Sequence, residues 1–246
     1  MASYARAAYK PLDVAKPVAD GVWIVDSAPI RVMGIPLPLR MTVIRLRNGE
    51  LLLHSPTRYS DALRRALDGL GRIRHLVAPD IAHWMFLKGW QEACPDTITW
   101  AAPGLRERAP PRKAGVRFDR DLEEQAPDAW AGEITQNVIH GGFGYSEVAF
   151  FHHATRTLVL TDLVVNLEPA KTPLLMRPAL HLAGMLAPRG MAPVYVRWII
   201  ALRRREAASV AARLLAHHPE RVIFAHGCWF ARNGEAALRH ALRWLL

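Results

Sequence analysis

The chain has 246 residues, of which 51% are hydrophobic, enough for one large core or at most two small domains. Its formal charge of +10 raises nucleic acid or an anionic membrane surface as partners, yet Lys and Arg are scattered, with Arg203-Arg204-Arg205 the one tight cluster, and no nucleic-acid-binding module is recognisable, which disfavours nucleic acid. Cys94 and Cys228 are the only cysteines and form no CxxC pair, which excludes a disulfide framework and a thiolate zinc knuckle.

The N-terminal stretch to Asp13 lacks the apolar run of a signal peptide, so a cytoplasmic, reducing location is expected. Gly21 to Asp26 reads as a short strand, and Ala28 to Arg40, with Pro29, Pro36 and Pro38, as a loop. Met41 to Leu46 and Glu50 to Leu53, joined through Asn48-Gly49, carry a strong hairpin signal. Thr57 or Ser60 caps a helix from Asp61 to Leu70, whose Leu63, Leu67 and Leu70 share a face. Ile73 to Ala78 is a buried strand, a helix runs from Trp84 through Trp90, and Thr97 to Ala101 is a further strand. Pro103 to Arg120 reads as a basic loop with a short helix. Val148 to Phe151 and Leu158 to Leu160 form a second hairpin around a short basic turn. Leu174 to Leu202 is apolar but too interrupted by proline and arginine to span a bilayer; it reads as a surface helix pair, a basic lid, or a segment resting on a membrane surface. Arg205 to Ala216 is a helix, Val222 to Phe224 a last buried strand, and Glu235 to Leu246 a closing amphipathic helix. No linker or internal repeat divides the chain, so one α/β layered domain over residues 1–246 is expected.

Four apolar runs end in, or pass shortly into, a His or Asp. Leu51 to Leu53 precedes His54, Leu76 to Ala78 precedes Asp80 and His83, Leu158 to Leu160 precedes Asp162, and Val222 to Phe224 precedes His226. Loops beyond strand ends are where layered α/β proteins collect ligands and metals. Each imidazole or carboxylate removed from water costs free energy unless something pairs with it, and a divalent cation would pair with all of them. Single residues also have simpler readings. His140 with its glycines makes a tight turn, Asp162 caps a helix, and His83 packs under Trp84. Glu147 is either a buried partner for an arginine or a surface residue. His152, His153, His217 and His218 read as solvated turn residues, Cys228 as an unreactive thiol, and tryptophans such as Trp23, Trp90 and Trp198 as core or pocket wall.

The order of these signals resembles the metallo-β-lactamase family. His140-Gly141-Gly142-Phe143-Gly144 resembles the family's His-x-x-Gly segment, Thr161-Asp162 its aspartate after the next hairpin, and Ala225-His226-Gly227 its final His-Gly. The Thr-His-x-His-x-Asp-His loop is degraded here to Ala78-Pro79-Asp80-Ile81-Ala82-His83-Trp84, and Leu52-Leu53-His54-Ser55-Pro56 stands where Leu-Ile-Asp-Thr-Gly is usual. The resemblance covers roughly Gly21 to the C-terminus and points to an uncharacterised branch of the family.

What it implies is a four-layer αββα sandwich with metal at the edge between its sheets, and a single metal ion. Pro79 and Ile81 replace two loop histidines and cannot ligate. His83, His140, Asp162 and His226 are the implied ligands, with His54 supporting a ligand from behind and Asp80 as general base or water-orienting residue. Such N/O ligands suit Zn²⁺ first, with Fe²⁺ or Mn²⁺ as alternatives. The expected function is a hydrolase-like reaction with metal-activated water on a small anionic or amphiphilic substrate, with residues 174–205 as a helical lid. The alternatives are an iron- or manganese-dependent oxidoreductase and a non-catalytic ligand-binding descendant; peripheral membrane contact through the lid is a weaker idea.

Overall fold

Two β-sheets lie face to face, and residue alternation along their strands shows how. The computed structural model describes residues 6–32 and 34–246; the first five residues and Met33, within the predicted proline loop, fall outside. The larger sheet has seven strands in chain order: β1 (Ala15–Ala19), β2 (Val22–Val32), β3 (Ile35–Arg45), β4 (Glu50–His54), β5 (Arg72–Ala78), β6 (Ile98–Ala101) and β7 (Arg120–Asp121). Pairing is antiparallel from β1 to β4 and parallel from β4 onward. The second sheet contains β8 (Ile134–His140), β9 (Ser146–His152), β10 (Thr157–Val159) and β12 (Arg221–Ile223), in the order β12-β10-β9-β8. A parallel pair, β11 (Val165–Asn166) with β13 (His226–Gly227), stands apart from both.

Successive side chains on a strand point to opposite faces. Val43, Leu51 and Leu53 pack outward against Leu63 and Leu67 of helix α1 (Asp61–Asp68) and Trp90 of α2 (Leu87–Ala93). Ile44 and Leu52 point inward to meet Val148 and Phe150 of the second sheet. On β9, Ala149 and Phe151 turn outward beneath α5 (Val194–Ala201), α6 (Arg204–Ala216) and α7 (Gly234–Ala241). Helix, sheet, sheet, helix is therefore the layer order. Two short helices, α3 (Ala109–Lys113) and α4 (Arg177–Leu182), lie in the connections. Among the described residues no helix is long and apolar enough to cross a membrane.

Several elements depart from expectation. Residues 28–40 are not a loop but most of the β2–β3 hairpin. The prolines are tolerated because Pro29 lies in the register shift between Ser27 and Ile30, while β4 pairs with β3 only from Thr42 onward. Pro36 and Pro38 thus have an open flank where a missing N–H breaks no ladder. The helix expected from Trp84 begins at Leu87, because the Asp80 side chain folds the preceding residues into a turn. Strands β1 and β8 were not anticipated. His152 is buried on β9 against Thr155 rather than solvated, and the half-buried His217 ring stacks on Phe151. Trp198 is neither core nor wall; it is largely exposed.

Candidate metal centre

Parallel pairing sets neighbouring strand ends side by side. β10 and β12 run parallel, so Asp162 and His226, each just beyond its strand, emerge at the same end of the second sheet. β5 meets that end from the other sheet. Val148 N donates to Pro79 O (2.7 Å), and Asp80 bridges Glu147, which ties the Asp80–His83 turn to β9.

Within that turn Asp80 Oδ1 accepts from the backbone N–H of Ala82 (2.6 Å) and His83 (2.9 Å), while Oδ2 accepts from His83 Nδ1 at 2.5 Å. Three residues of chain are thereby curled so that the His83 ring lies against the carboxylate and its Nε2 faces away. His226 is aimed in the same manner by a carbonyl: its Nδ1 donates to Pro38 O at 2.7 Å. A carbonyl only accepts, so Nδ1 carries the proton, and Nε2 is the nitrogen left to ligate a cation. His83 Nε2 and His226 Nε2 are 3.2 Å apart, Asp162 Oδ1 is 3.3 Å from His226 Nε2, and the three donor atoms lie within 4.8 Å of one another. Ligand atoms held at about 2.0–2.1 Å around a tetrahedral ion are about 3.3 Å apart. Each ring also has its far nitrogen fixed by an acceptor, the usual support of a ligating histidine. The donor set therefore fits one divalent ion.

Charge in this corner is closely balanced. Burial alone would lower the His83 pKa, but the charges of Asp80 and Asp162 outweigh it and push it up to about 9. Burial would likewise raise Asp80, yet the His83 charge and hydrogen bond hold it well below the usual carboxylate range. Glu147 is raised by burial and by the charges of Asp80 and Asp162. It is wholly buried and partners no arginine: Oε1 accepts from Thr161 N (2.7 Å), and Oε2 from Asp162 N (3.1 Å) and the Tyr145 hydroxyl (3.1 Å). Glu147 thus pins the turn that presents Asp162.

Of the residues implied as ligands, His83, Asp162 and His226 come together and His140 does not join them. His140 pairs with Ser146 across the β8–β9 ladder and so shares its face. Ser146 donates to Pro103 O, whereas the adjacent Glu147, on the opposite face, is the residue that reaches Asp162. His54 is buried between the sheets with its ring edge against Phe150, and its Nε2 has no hydrogen-bond partner. Burial, with the charge on His83, pushes its pKa down to about 3.

The sequence reading missed the support beneath His226. Arg40 Nη1 donates to the carbonyls of Phe224 (3.1 Å) and Gly227 (2.8 Å), and Arg40 Nη2 lies 2.7 Å from Asp26 Oδ1. No local pattern marks a pairing between residues so far apart; an acidic residue inside an apolar run was, by contrast, a usable signal for Glu147.

Over the three donors opens a cavity of about 350 Å³. His83, Asp162 and His226 line it, and the rest of its lining is mostly apolar, with Ile30, Leu37, Phe86, Val165, Leu180 and Met185 among the residues. Arg40 also borders the cavity, but its guanidinium is committed to Asp26 and two carbonyls.

Comparison with known proteins agrees with this architecture. The chain is similar in structure to a metallo-β-lactamase from Pontibacter korlensis, with a TM-score of 0.61 at 13% identity over 94% of this chain and 97% of that one. It is similar to the metallo-β-lactamase FIM-1 from Pseudomonas aeruginosa in its mono-zinc form, with a TM-score of 0.62 at 13% identity over 94% of each chain. It also resembles the metallo-β-lactamase from Hirschia baltica, with a TM-score of 0.61 at 16% identity over 94% of this chain and 96% of that one. No curated protein matches the sequence. Residues 19–187 match the family described as a domain of unknown function, DUF4336, and the chain belongs to that family, as a member with the metallo-β-lactamase fold.

Proposed function

We propose that this protein is a hydrolase-like enzyme that uses one divalent metal ion, zinc first, held by His83, Asp162 and His226. The observation that carries the reading is the convergence of two imidazole Nε2 atoms and a carboxylate oxygen at 3.2 and 3.3 Å, each ring steered by an acceptor on its other nitrogen. The similarity to a mono-zinc metallo-β-lactamase supports it. Bound there, a divalent ion supplies Lewis acidity, lowering the pKa of a water and polarising a carbonyl or phosphoryl oxygen.

The chain's own residues do the rest. Asp80 has both oxygens engaged, so its role is to orient His83 rather than to take a proton from water. Glu147 holds the Asp162 backbone, and Pro38 and Arg40 hold the His226 loop. Residues 174–205 serve as a lid whose Leu180 and Met185 pack on Val165 and exclude water. The arginines of the lid that face inward are occupied: Arg177 donates to Thr172 O and Arg197 to Ala183 O. The cavity therefore suits a substrate that is apolar along its length and brings one polar, hydrolysable group to the three donors.

The test is elemental analysis of purified protein with metal titration of its variants. His226→Ala is expected to lose bound metal, and Asp80→Asn to weaken affinity by about 10- to 100-fold. Protein that holds no metal from any of zinc, iron or manganese overturns the reading. It would favour a non-catalytic binder of apolar ligands, since the 3.2 Å contact of His83 with His226 also suits an N–H···N bond from a protonated His83.

A further inference from the structure

The apolar cavity opens into a surface that is itself apolar. Val32, Met85, Val194 and Tyr195 line the cavity and are also substantially exposed. Leu182 follows the cavity-lining Leu180 on α4 and is 85% exposed, and Leu175, on the turn before it, is 96% exposed. Along α5 the positions Tyr195, Trp198 and Leu202 recur at helical spacing on the outward side, while Val196 and Ile200 face the core. Leu202 then abuts Gly142, next to Phe143, which is 86% exposed. Among the described residues every exposed large apolar side chain except Val14, Leu246 and Leu174, the neighbour of Leu175 in the chain, belongs to this set. Scattered exposed leucines need no explanation, but a continuous patch does.

Charge indicates what covers it. Between Glu168 and Glu206 the chain carries seven Lys or Arg residues and no Asp or Glu. Arg203, Arg204 and Arg205 are exposed directly after α5, and Arg189 is exposed beside α4. With no carboxylate between residues 169 and 205, this basic apolar face favours an acceptor of negative charge. A fluid acceptor with a negative surface accommodates such side chains while arginines remain at headgroup level. Trp198 and Tyr195 supply amphipathic rings suited to that boundary.

We propose that the rim of the cavity, formed by residues 174–205 with the Phe143 turn and Met85, docks on an anionic lipid bilayer. The cavity mouth then faces the membrane, and an acyl chain passes into it without crossing water. This docking does not require the metal ion, so it stands or falls separately from the catalytic reading.

The experiment is co-sedimentation of full-length protein with vesicles of phosphatidylcholine alone or with phosphatidylglycerol, and quenching of tryptophan fluorescence by bromine-labelled acyl chains. Binding to the anionic vesicles is expected, weakening as salt is raised. Leu175→Asp combined with Leu182→Asp should lower it by about tenfold, and Arg204→Glu with Arg205→Glu should lower it comparably; both pairs protrude from the surface, and circular dichroism checks that the fold is kept. Trp198→Phe should remove most of the quenching, and chelator-treated protein should bind as well as untreated. Absence of binding to anionic vesicles overturns the proposal, as does binding unaffected by the paired aspartates. A dimer in solution that Trp198→Asp dissociates also overturns it, since a second copy would then be the cover.

Discussion

Individual side chains at the centre are held by partners remote in sequence. Arg40 illustrates this most clearly: it neutralises buried Asp26 and carries two carbonyls that flank His226. Lys16, 2.8 Å from Asp26, is the other member of the group. Removing one partner of a buried pair costs more than the pair contributes, because the remaining charge is stranded. Arg40→Met is therefore expected to destabilise the fold by about 3 kcal/mol, measured by denaturant unfolding. It should also weaken metal retention, because the carbonyls of Phe224 and Gly227 lose their donor and the loop around His226 loosens. Unchanged stability with reduced metal content would assign Arg40 to the site alone.

Among the elements, the short β11–β13 pair has little tolerance. Gly227 has φ near +99°, and a Cβ there would lie 2.2 Å from the carbonyl oxygen of Asn166, a backbone atom that cannot swing aside. His226 is therefore followed by glycine for two reasons: a left-handed turn and the approach of another strand. Gly227→Ala should cost about 3 kcal/mol through overpacking and strain, and the accompanying shift of β13 should displace His226 Nε2 from Asp162. Thermal unfolding and metal titration of the same variant check both parts. The helices, in contrast, rest on ordinary amphipathic packing. Ser60 Oγ caps α1 by accepting from Leu63 N at 3.2 Å, and Leu63 and Leu67 face the sheet.

For the whole molecule, acid is the informative perturbation away from the metal centre. His75 is buried on β5, where Trp100 Nε1 donates to its Nδ1 at 3.2 Å, so the folded state needs that nitrogen unprotonated. Burial lowers its pKa below the ordinary 6.5, more than Glu50 raises it. The unfolded chain therefore takes up a proton at a higher pH than the folded chain does. His75 contributes stability above pH 6.5 that is lost as pH falls below it. Wild-type protein should have a higher Tm than His75→Gln at about pH 8, and the gap should narrow towards about pH 5. A gap that does not change with pH would mean that another group controls acid unfolding.

Alternation and turn chemistry by themselves determined the hairpin at Asn48-Gly49, the helix that starts at Asp61, a sheet covered by helices and the strand-end placement of Asp80, His83, Asp162 and His226, since these follow from periods of 2 and 3.6 residues and from local backbone preferences; the four-layer αββα order came from the family resemblance of the motifs. Beyond that range the sequence is silent. Proline content read as a loop became a hairpin, because only the sheet shows that Pro36 and Pro38 lie on an open flank. Likewise, only the ladder register turns His140 onto the face of Ser146 while Asp162 and His226 meet across parallel strand ends. Which side chains share a point in space depends on register and on long-range pairing, and a one-residue difference in either reverses the face that a side chain takes.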